Sequence, residues 1–415
     1  MYKFAAVYYF FKPVRIYYIL SLLIAVFFST ACSKQPDYPV TCTHEQYQRL
    51  DPQEAKPLTP DTSTTTTINV NPLFNIKEFD FQSAISNIRF IPLQTTPESH
   101  VGRTDRLIVT KSHIYLSDTN YLFIFTHRGQ FISKILFPKG AYHDFAFDNS
   151  LSEIVICADN YVGHYYPDGQ LKWTEHLPFR FSSIAIANNL LAVHCDSNFM
   201  NPHFPPALAS SPCFFIDRQG ELTSYVTPLS HRPTSPMVCR RFQPALDGVA
   251  LCRSFCDTIL YVLSPTRVEA RYVLDYSSLR LPDPTTEQNI NDIFAGRHDK
   301  GLYYFGGDFI PSANGFFFVL RTERAMTIRA FYDARTNKLL GGIQPLADYC
   351  EIPPLYNPVS SYGDSYASLF HPYQTESGRT FRFLGNSVSE TQKDILDGVR
   401  HDDNPVVALF DITVD

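Results

Sequence analysis

Short apolar segments alternate with short polar or glycine-containing segments through most of this sequence. Four such segments follow one another from Arg106 to Leu136, and their lengths and spacing are typical of a meandering antiparallel sheet. The same order returns from His143 to Leu177 and from Ser182 to Thr227. The pattern therefore predicts a repeated unit of four strands. Later copies are traced through Gly248–Asp257, Ile259–Ser264, Gly315–Arg321, Thr327–Asp333, Lys338–Ile343 and, least clearly, Ser365–His371.

A residue suited to a left-handed backbone follows the third strand of several copies. Gly129, Gly169 and Gly220 stand at this position, where a hairpin needs a positive φ. Asn337 holds the corresponding position in a later copy, and asparagine tolerates that conformation better than most residues. These residues indicate that the third and fourth strands of each unit form a hairpin.

An aspartate closes the second strand of four copies. Its carboxylate is expected to accept hydrogen bonds from backbone amides of the following turn, a structural role that suits a repeated position. The alternative is an acidic ring around one mouth of the assembly that binds a cation or another ligand. The four residues are Asp118, Asp159, Asp196 and Asp257.

Units of four strands repeated in series bury their exposed faces when they stack around an axis, which is the β-propeller arrangement. Six units over residues 80–415 average about 56 residues each, longer than the roughly 40–45 of a compact blade, so insertions are expected. Asn404–Asp411 resembles a third strand with no fourth strand after it, and Asn87–Thr95 resembles a fourth strand without a third. We therefore predict an all-β, six-bladed propeller of four-stranded antiparallel blades, closed by pairing these two terminal strands in one blade.

Four segments resemble the six-bladed β-propeller lipoproteins of Bacteroidetes. They are Ile91–Thr96, Val101–Val109, Tyr362–Tyr366 and Asp402–Val407, and the resemblance extends over roughly residues 78–415. It departs from the family at Leu136–Gly140, where other members often have a longer glycine-rich linker. The resemblance implies a fold and an export route, and it implies no shared activity.

The first residues have the pattern of a secretory signal peptide. Basic residues precede an apolar run from Ile16 to Phe28, and small residues lead to Cys32. The segment Ser29–Cys32 resembles the lipobox of bacterial lipoproteins, which implies cleavage after residue 31 and lipid attachment at Cys32. An uncleaved signal anchor is the alternative. We therefore assign residues 1–31 to the signal peptide, residues 32–77 to a lipidated cysteine with a flexible tether rich in Pro and Thr, and residues 78–415 to the propeller.

Composition and charge narrow the function classes. The chain carries a formal charge of −6, and loss of Lys3, Lys12 and Arg15 with the signal peptide makes the mature protein more acidic. A basic surface for nucleic acid is therefore not expected. Nothing in the sequence resembles a phosphate-binding glycine-rich loop or a dinucleotide fingerprint.

Two weak motifs are better explained by structure than by chemistry. Gly363–Ala367 approximates a nucleophile elbow, but no helical pattern follows Ser365 before a proline. His231, Cys239, Cys252 and Cys256 lack the spacing of a zinc site. Eight cysteines remain besides Cys32, an even number in an oxidising compartment, so one or two disulfides or buried free thiols are expected.

These observations support two functions of different classes. The first is a lipid-anchored cell-envelope module, without cofactor, that binds a ligand, a partner protein or a glycan. A proline-rich insertion, Asn198–Ser211, is its candidate binding loop, with His203 and Phe204 as the candidate contacts. The second is a metal-dependent hydrolase of the lactonase or glycan-processing type, with Ca²⁺ or Zn²⁺ at one mouth of the channel. A structural subunit of a larger outer-membrane assembly is a third alternative.

Overall fold

The computed structural model describes residues 50–138, 143–195, 201, 204–228, 242–245, 248–252, 258–276, 303–321, 327–345, 355–372 and 388–414. Four short strands and one long strand precede the first complete blade. A 3₁₀ helix, Asn71–Asn75, and a short helix α1, Phe81–Ala84, lie among them. The strands are β1 Lys56–Leu58, β2 Pro60–Asp61, β3 Thr66–Asn69, β4 Glu78–Phe79 and β5 Ile85–Pro92.

Blades 1 to 3 follow in chain order as four-stranded antiparallel sheets. Blade 1 consists of β6 Arg106–Val109, β7 His113–Ser117, β8 Tyr121–Thr126 and β9 Phe131–Leu136. Blade 2 consists of β10 His143–Asp148, β11 Glu153–Ala158, β12 Tyr161–Tyr165 and β13 Leu171–His176. Blade 3 consists of β14 Ser183–Ala187, β15 Leu190–His194, β16 Phe214–Ile216 and β17 Leu222–Val226, with helix α2, Pro206–Ala209, between β15 and β16.

Blades 4 and 5 repeat this order. Blade 4 consists of β18 Phe242–Ala245, β19 Gly248–Cys252, β20 Ile259–Ser264 and β21 Arg267–Asp275. Blade 5 consists of β22 Tyr304–Ser312, β23 Gly315–Arg321, β24 Thr327–Asp333 and β25 Lys338–Gly342, and the short strand β26, Gln344–Pro345, follows it. The apolar pattern of the sequence predicts strands in these blades only from Gly248 and Gly315 onward. The structure adds the first strands β18 and β22 and the fourth strand β21.

Blade 6 joins the two ends of the propeller. Its strand order is β27 Ser360–Tyr362, β28 Ser365–Phe370, β29 Val406–Ile412 and then β5. The strands β29 and β5 pair antiparallel, with Val406 opposite Pro92 and Leu409 opposite Arg89. The predicted closure of a six-bladed ring by one third strand and one fourth strand is therefore confirmed. Helix α3, Glu390–Asp397, lies between β28 and β29 in the chain.

Six hydrophobic clusters of described residues lie between neighbouring blades, one for each pair of blades. Successive residues of a strand point to opposite neighbours, as the pleat of a strand requires. In β8, for example, Leu122 and Ile124 pack toward blade 2, whereas Phe123 and Phe125 pack toward blade 6. Because both faces of such a strand are buried, the sequence shows continuous apolar runs instead of alternation.

Residues 56–79 differ from the expected flexible tether. The strand β1 pairs in parallel with β17 of blade 3, β2 and β3 pair with β21 of blade 4, and β4 pairs with β26 after blade 5. We call this segment, residues 56–79, the belt, because it follows the outer edges of three blades before β5 enters blade 6. This pairing provides hydrogen-bond partners for main-chain N–H and C=O groups that an outer edge strand otherwise leaves unpaired.

The predicted left-handed turns are confirmed. Gly129, Gly169, Gly220 and Asn337 all have positive φ, between 56° and 92°. Gly363 also has a positive φ of 60° and turns the chain between β27 and β28. Ser365 therefore begins a hairpin strand, which is not the strand-to-helix geometry of a nucleophile elbow. No helix within the described part of the chain is long and apolar enough to cross a membrane.

Candidate functional site

A cavity of about 380 Å³ lies in the channel of the propeller. Residues from the first strand of every blade line it, and they lie toward the turns that join the first and second strands. We call this end of the channel, marked by Lys111, Asn149, Gly248, Ala313 and Gly363, the channel mouth. Its volume falls in the range of small-molecule sites. The repeated architecture thus brings together six segments that are far apart in the sequence.

The lining of this cavity is mostly apolar or already hydrogen-bonded. Ile108, Phe147 and Ile186 contribute apolar surface. The hydroxyl of Ser361 donates to the Pro311 carbonyl oxygen at 2.5 Å, and that of Thr110 donates to the His113 carbonyl oxygen at 3.0 Å. Among the described residues of the lining there is no carboxylate and no imidazole. Lys111 adds an exposed ammonium at the channel mouth, so the cavity offers apolar surface, hydroxyl groups and one exposed cation to a ligand.

A buried polar chain connects the first strands of blades 1, 2 and 3 at the other end of these strands. Arg106 forms an ion pair with Asp144 Oδ1. Asp144 Oδ2 accepts hydrogen bonds from Ser183 Oγ at 3.0 Å and from the Ile184 amide at 3.1 Å. The Arg106 guanidinium also lies over the Phe145 ring, 5.5 Å from its centroid. These contacts fix the relative positions of three inner strands, a structural role.

Two of the four predicted turn aspartates lie in the described part of the chain. Asp118 Oδ1 accepts from the amides of Asn120 at 2.7 Å and Tyr121 at 2.8 Å, and Oδ2 accepts from the Gly102 amide at 3.2 Å. Asp159 has a positive φ of 53°, and its carbonyl oxygen accepts from the Phe181 amide. Asp118 thus forms an Asx turn. It lies at the opposite end of blade 1 from the channel mouth, since its neighbour Ser117 pairs with Arg106.

The described part of the predicted binding loop packs against the blades. The ring of Phe204 lies 5.5 Å from that of Phe179 and 5.9 Å from that of Phe214, within the apolar cluster between blades 2 and 3. Asn201 is buried and exchanges two hydrogen bonds with the backbone of Arg180, at 2.6 Å and 2.7 Å. Phe204 is thus half-buried against this cluster, and the binding role of the loop stays a prediction.

The remaining predicted residues lie outside the described part of the chain. They are Cys32, Asp196, His203 and Asp257, together with the positions discussed for zinc, His231, Cys239 and Cys256. Among the described cysteines, Cys157, Cys195 and Cys213 are free thiols. Burial raises the pKa of Cys157 and of Cys213 above the usual value for a thiol, so neither is a reactive thiolate.

A buried charge network joins blade 2 to a turn of blade 3. Glu153 accepts from His164 Nδ1 at 3.0 Å and from Lys172 Nζ at 3.2 Å, and it also contacts Arg218. The Trp173 ring stacks on His164 with centroids 3.8 Å apart. His164 Nε2 is buried without a hydrogen bond, since Glu175 Oε1 lies 3.7 Å away. Sequence reasoning missed this network, because its members are dispersed and only their shared sheet brings them together.

A second cavity, of about 960 Å³, lies beside the channel mouth between blades 6 and 1. We call it the lateral groove. One wall holds Arg89 from β5, Lys111 from the first turn of blade 1, and His127 and Arg128 from its last turn. The other wall is formed by α3 and by the residues that follow it. Lys111 belongs to both cavities. No sequence motif marks this groove, because its cations come from three separate segments.

The fold is similar to that of solved propellers. A structure from Bacteroides fragilis, described as a "putative exported protein", has a TM-score of 0.66 at 14% identity, covering 84% of this chain and 100% of that chain. The β-propeller domain of Cps50 (Swd1) from Myceliophteria thermophila has a TM-score of 0.38 at 8% identity, covering 80% of this chain and 99% of its own. BamB from Moraxella catarrhalis has a TM-score of 0.37 at 10% identity, covering 68% and 84%. The first likeness establishes a shared fold, and the other two carry no argument.

Sequence comparison gives one family. A family model described as a domain of unknown function, DUF4934, matches residues 65–411. The match begins within the belt, so the belt from β3 onward is part of the domain together with the six blades. No curated protein matches the chain in sequence.

Proposed function

The chain belongs to the DUF4934 family, and from this premise we propose that it is a lipid-anchored propeller of the cell envelope that binds a ligand or a partner protein at its channel mouth. One observation carries the proposal: all six blades contribute to a cavity of about 380 Å³ whose described lining offers apolar surface, hydroxyl groups and the exposed ammonium of Lys111. Apolar surface with a few polar groups in a concave site is typical of a ligand-binding pocket.

The signal peptide, residues 1–31, supports the proposed location in the cell envelope. A basic segment, an apolar run and Ser29–Cys32 support export and lipid attachment at Cys32. The segments that resemble Bacteroidetes lipoproteins support an outer-membrane location in a bacterium of that phylum. Two or more acyl chains give a stable anchor, because each buried CH₂ contributes roughly 0.8 kcal/mol.

The lipid anchor is tested by Cys32→Ala. The variant is expected to lose both incorporation of labelled palmitate and cleavage of the signal peptide, because the lipobox is processed at this cysteine. Cys42→Ala is the matched control, because it removes a nearby cysteine and should keep both properties. Labelling of Cys32→Ala at the level of the unmodified protein would contradict the anchor.

Binding at the channel mouth is tested by placing a photo-crosslinking amino acid at Asn149 and, in a separate variant, at Asn120. Both side chains are exposed, but Asn149 lines the channel cavity and Asn120 lies in a turn at the opposite end of blade 1. Irradiation of whole cells is expected to give a defined adduct, identified by mass spectrometry, from position 149 and none from position 120.

A substitution that fills the channel distinguishes a ligand bound in the cavity from a molecule that contacts position 149 by chance. Ala245 lines the cavity, so Ala245→Trp should abolish the adduct at position 149, and a cooperative thermal unfolding transition shows that the variant is folded. Equal adducts at positions 149 and 120, no adduct at 149, or an adduct that persists in folded Ala245→Trp would each contradict binding at the channel mouth.

A further inference from the structure

The lateral groove concentrates positive charge on an acidic protein. Arg89, Lys111 and Arg128 are exposed and line one wall. Among the described residues, no carboxylate forms an ion pair with any of the three. The chain as a whole carries a formal charge of −6. Cations that no ion pair neutralises attract anions, so this wall of the groove is suited to an anionic ligand.

The imidazole of His127 holds one of these cations in place while remaining neutral. His127 Nδ1 lies 2.9 Å from the Thr110 carbonyl oxygen, which can only accept, so the ring proton is on Nδ1. Nε2 therefore has a lone pair, and it accepts a hydrogen bond from Arg89. Burial and the neighbouring Arg89 lower the pKa of His127, although the bond to Thr110 acts in the opposite direction. The guanidinium is thus oriented without being neutralised, and within the described part of the chain its other N–H groups have no hydrogen-bond partner.

The opposite wall gives the groove a fixed shape. The Gln392 side-chain oxygen accepts from the Phe90 amide, which ties helix α3 to the outer strand of blade 6. Ile395 and Val399 add apolar surface. Two carboxylates also line the groove: Asp403 accepts from the Arg400 amide at 2.7 Å within its own turn, and Asp394 lies exposed on the helix. A ligand would therefore meet cations on one side and, on the other, a wall that carries both apolar side chains and two carboxylates.

We infer that the lateral groove binds a ligand bearing carboxylate or phosphate groups, with Arg89, Lys111 and Arg128 as its anion contacts. The planar guanidinium of Arg89 suits two oxygens of one oxyanion, and the lysine ammonium adds a charge without a fixed direction. This site does not depend on the channel mouth, because the two cavities share only Lys111. The anionic group can belong to a sugar acid or to a phosphate, and the test distinguishes these sources.

The test is isothermal titration calorimetry of the mature lipidated protein in detergent at low ionic strength. The probes are trigalacturonate, inorganic phosphate and, as the neutral counterpart, maltotriose. Binding of trigalacturonate alone identifies a carboxylate ligand, and binding of phosphate identifies a phosphate ligand; either supports the inference. Affinity is expected to fall as salt is added, because salt screens exposed charges. Binding of neither anion, or equal binding of maltotriose, would overturn the inference.

Substitutions locate the site. Arg89→Gln should weaken anion binding about tenfold or more, since charge-assisted hydrogen bonds are the strongest contacts available here. Lys111→Ala and Arg128→Ala remove exposed side chains and should each weaken binding severalfold without affecting the unfolding midpoint. Asp394→Asn removes the exposed carboxylate of the groove and should strengthen binding.

Two control variants keep the outcome interpretable. Arg103 is an exposed cation outside the groove, so Arg103→Ala should leave the affinity unchanged. Ala245→Trp fills the channel and should also leave anion binding unchanged, which separates this site from the channel mouth. A loss in Arg103→Ala equal to that in Arg128→Ala would show a general charge effect and overturn the site.

Discussion

The side-chain amide nitrogen of Asn404 donates a hydrogen bond to the main-chain oxygen of Gln94 at 2.8 Å. The same nitrogen donates to the Ser99 carbonyl oxygen at 2.7 Å, and Asn404 Oδ1 accepts from the Val101 amide at 2.9 Å. The Asn404 amide donates to Thr95 Oγ1 at 2.8 Å. One buried side chain therefore joins the start of the last strand to the connection between blade 6 and blade 1. Three of the segments that resemble known lipoproteins, Ile91–Thr96, Val101–Val109 and Asp402–Val407, meet at this point.

We predict that Asn404→Ala destabilises the protein by about 2–4 kcal/mol. The side chain is only 2% exposed, so its loss leaves buried donors and acceptors without partners. The measurement is urea denaturation, supplemented by hydrogen exchange of Val406–Phe410, which should lose protection first. Asn120→Ala is the control, because Asn120 is exposed and should change stability by less than about 0.5 kcal/mol. Equal stability of the two variants would show that the hydrogen bonds of Asn404 do not stabilise the closure of the ring.

Gly129 allows blade 1 to approach the outer strand of blade 6. Its φ is +84°, and a Cβ at this position would lie 2.2 Å from the Pro92 carbonyl oxygen. Gly363 has a similar φ of +60° but has nothing within 4 Å of its Cβ position. The two glycines therefore share the left-handed backbone and differ in the space around them.

This comparison predicts different costs for the same substitution. Gly363→Ala should lower the free energy of unfolding by about 1–2 kcal/mol, because alanine is strained in the left-handed conformation. Gly129→Ala should lower the free energy of unfolding by about 1–3 kcal/mol more than Gly363→Ala, because the Pro92 carbonyl oxygen must also move away from the new Cβ. Thermal and urea denaturation of both variants provide the measurement. If both variants lose the same free energy, the close approach between the blades is not what requires glycine.

The blades could be predicted from the sequence because each strand is buried on both faces. Runs such as Leu122–Phe125 are then continuously apolar, and the left-handed residues after third strands mark the register. The closure was predictable because two incomplete repeats at the ends complement each other.

The belt and the lateral groove could not be predicted in the same way. Residues 56–79 join the sheets through main-chain hydrogen bonds, which any sequence can form, and the signal in the side chains is the alternation of buried Ile68 and Val70 with exposed Thr67 and Asn69. The groove depends on the distance between segments that are separated along the chain, which composition and spacing do not encode.

The belt should contribute to stability. Ile68 is buried in the cluster between blades 4 and 5, whereas its neighbour Thr67 is exposed. Ile68→Ala is expected to destabilise the protein by about 2–4 kcal/mol, and Thr67→Ala by less than about 0.5 kcal/mol. Denaturation of the two variants in urea tests this. A stability of Ile68→Ala equal to that of the unmodified protein would mean that the belt behaves as a tether after all.

Glu153 should make the stability of the propeller sensitive to acid. Burial raises the pKa of this carboxyl, but the hydrogen bonds from His164 and Arg218, the charge of His164 and the contact with Lys172 outweigh burial and lower it below its ordinary value of 4.5. A group whose pKa is lowered by folding stabilises the folded state above its unfolded pKa. That contribution is lost as the pH falls through the folded pKa.

The substitution Glu153→Gln is therefore expected to cost about 1.5–3 kcal/mol at neutral pH, because the variant loses the charge-assisted hydrogen bonds from Lys172 and Arg218. The difference between the variant and the unmodified protein should shrink as the pH falls from about 4.5 through the lower pKa of Glu153 in the folded protein, where this carboxyl becomes protonated. Urea denaturation across this range provides the measurement. Glu221→Gln serves as control, because Glu221 is exposed and should have little effect at any pH. A stability difference for Glu153→Gln that stays constant from neutral to acidic pH would show that the carboxylate acts through its shape and not through its charge.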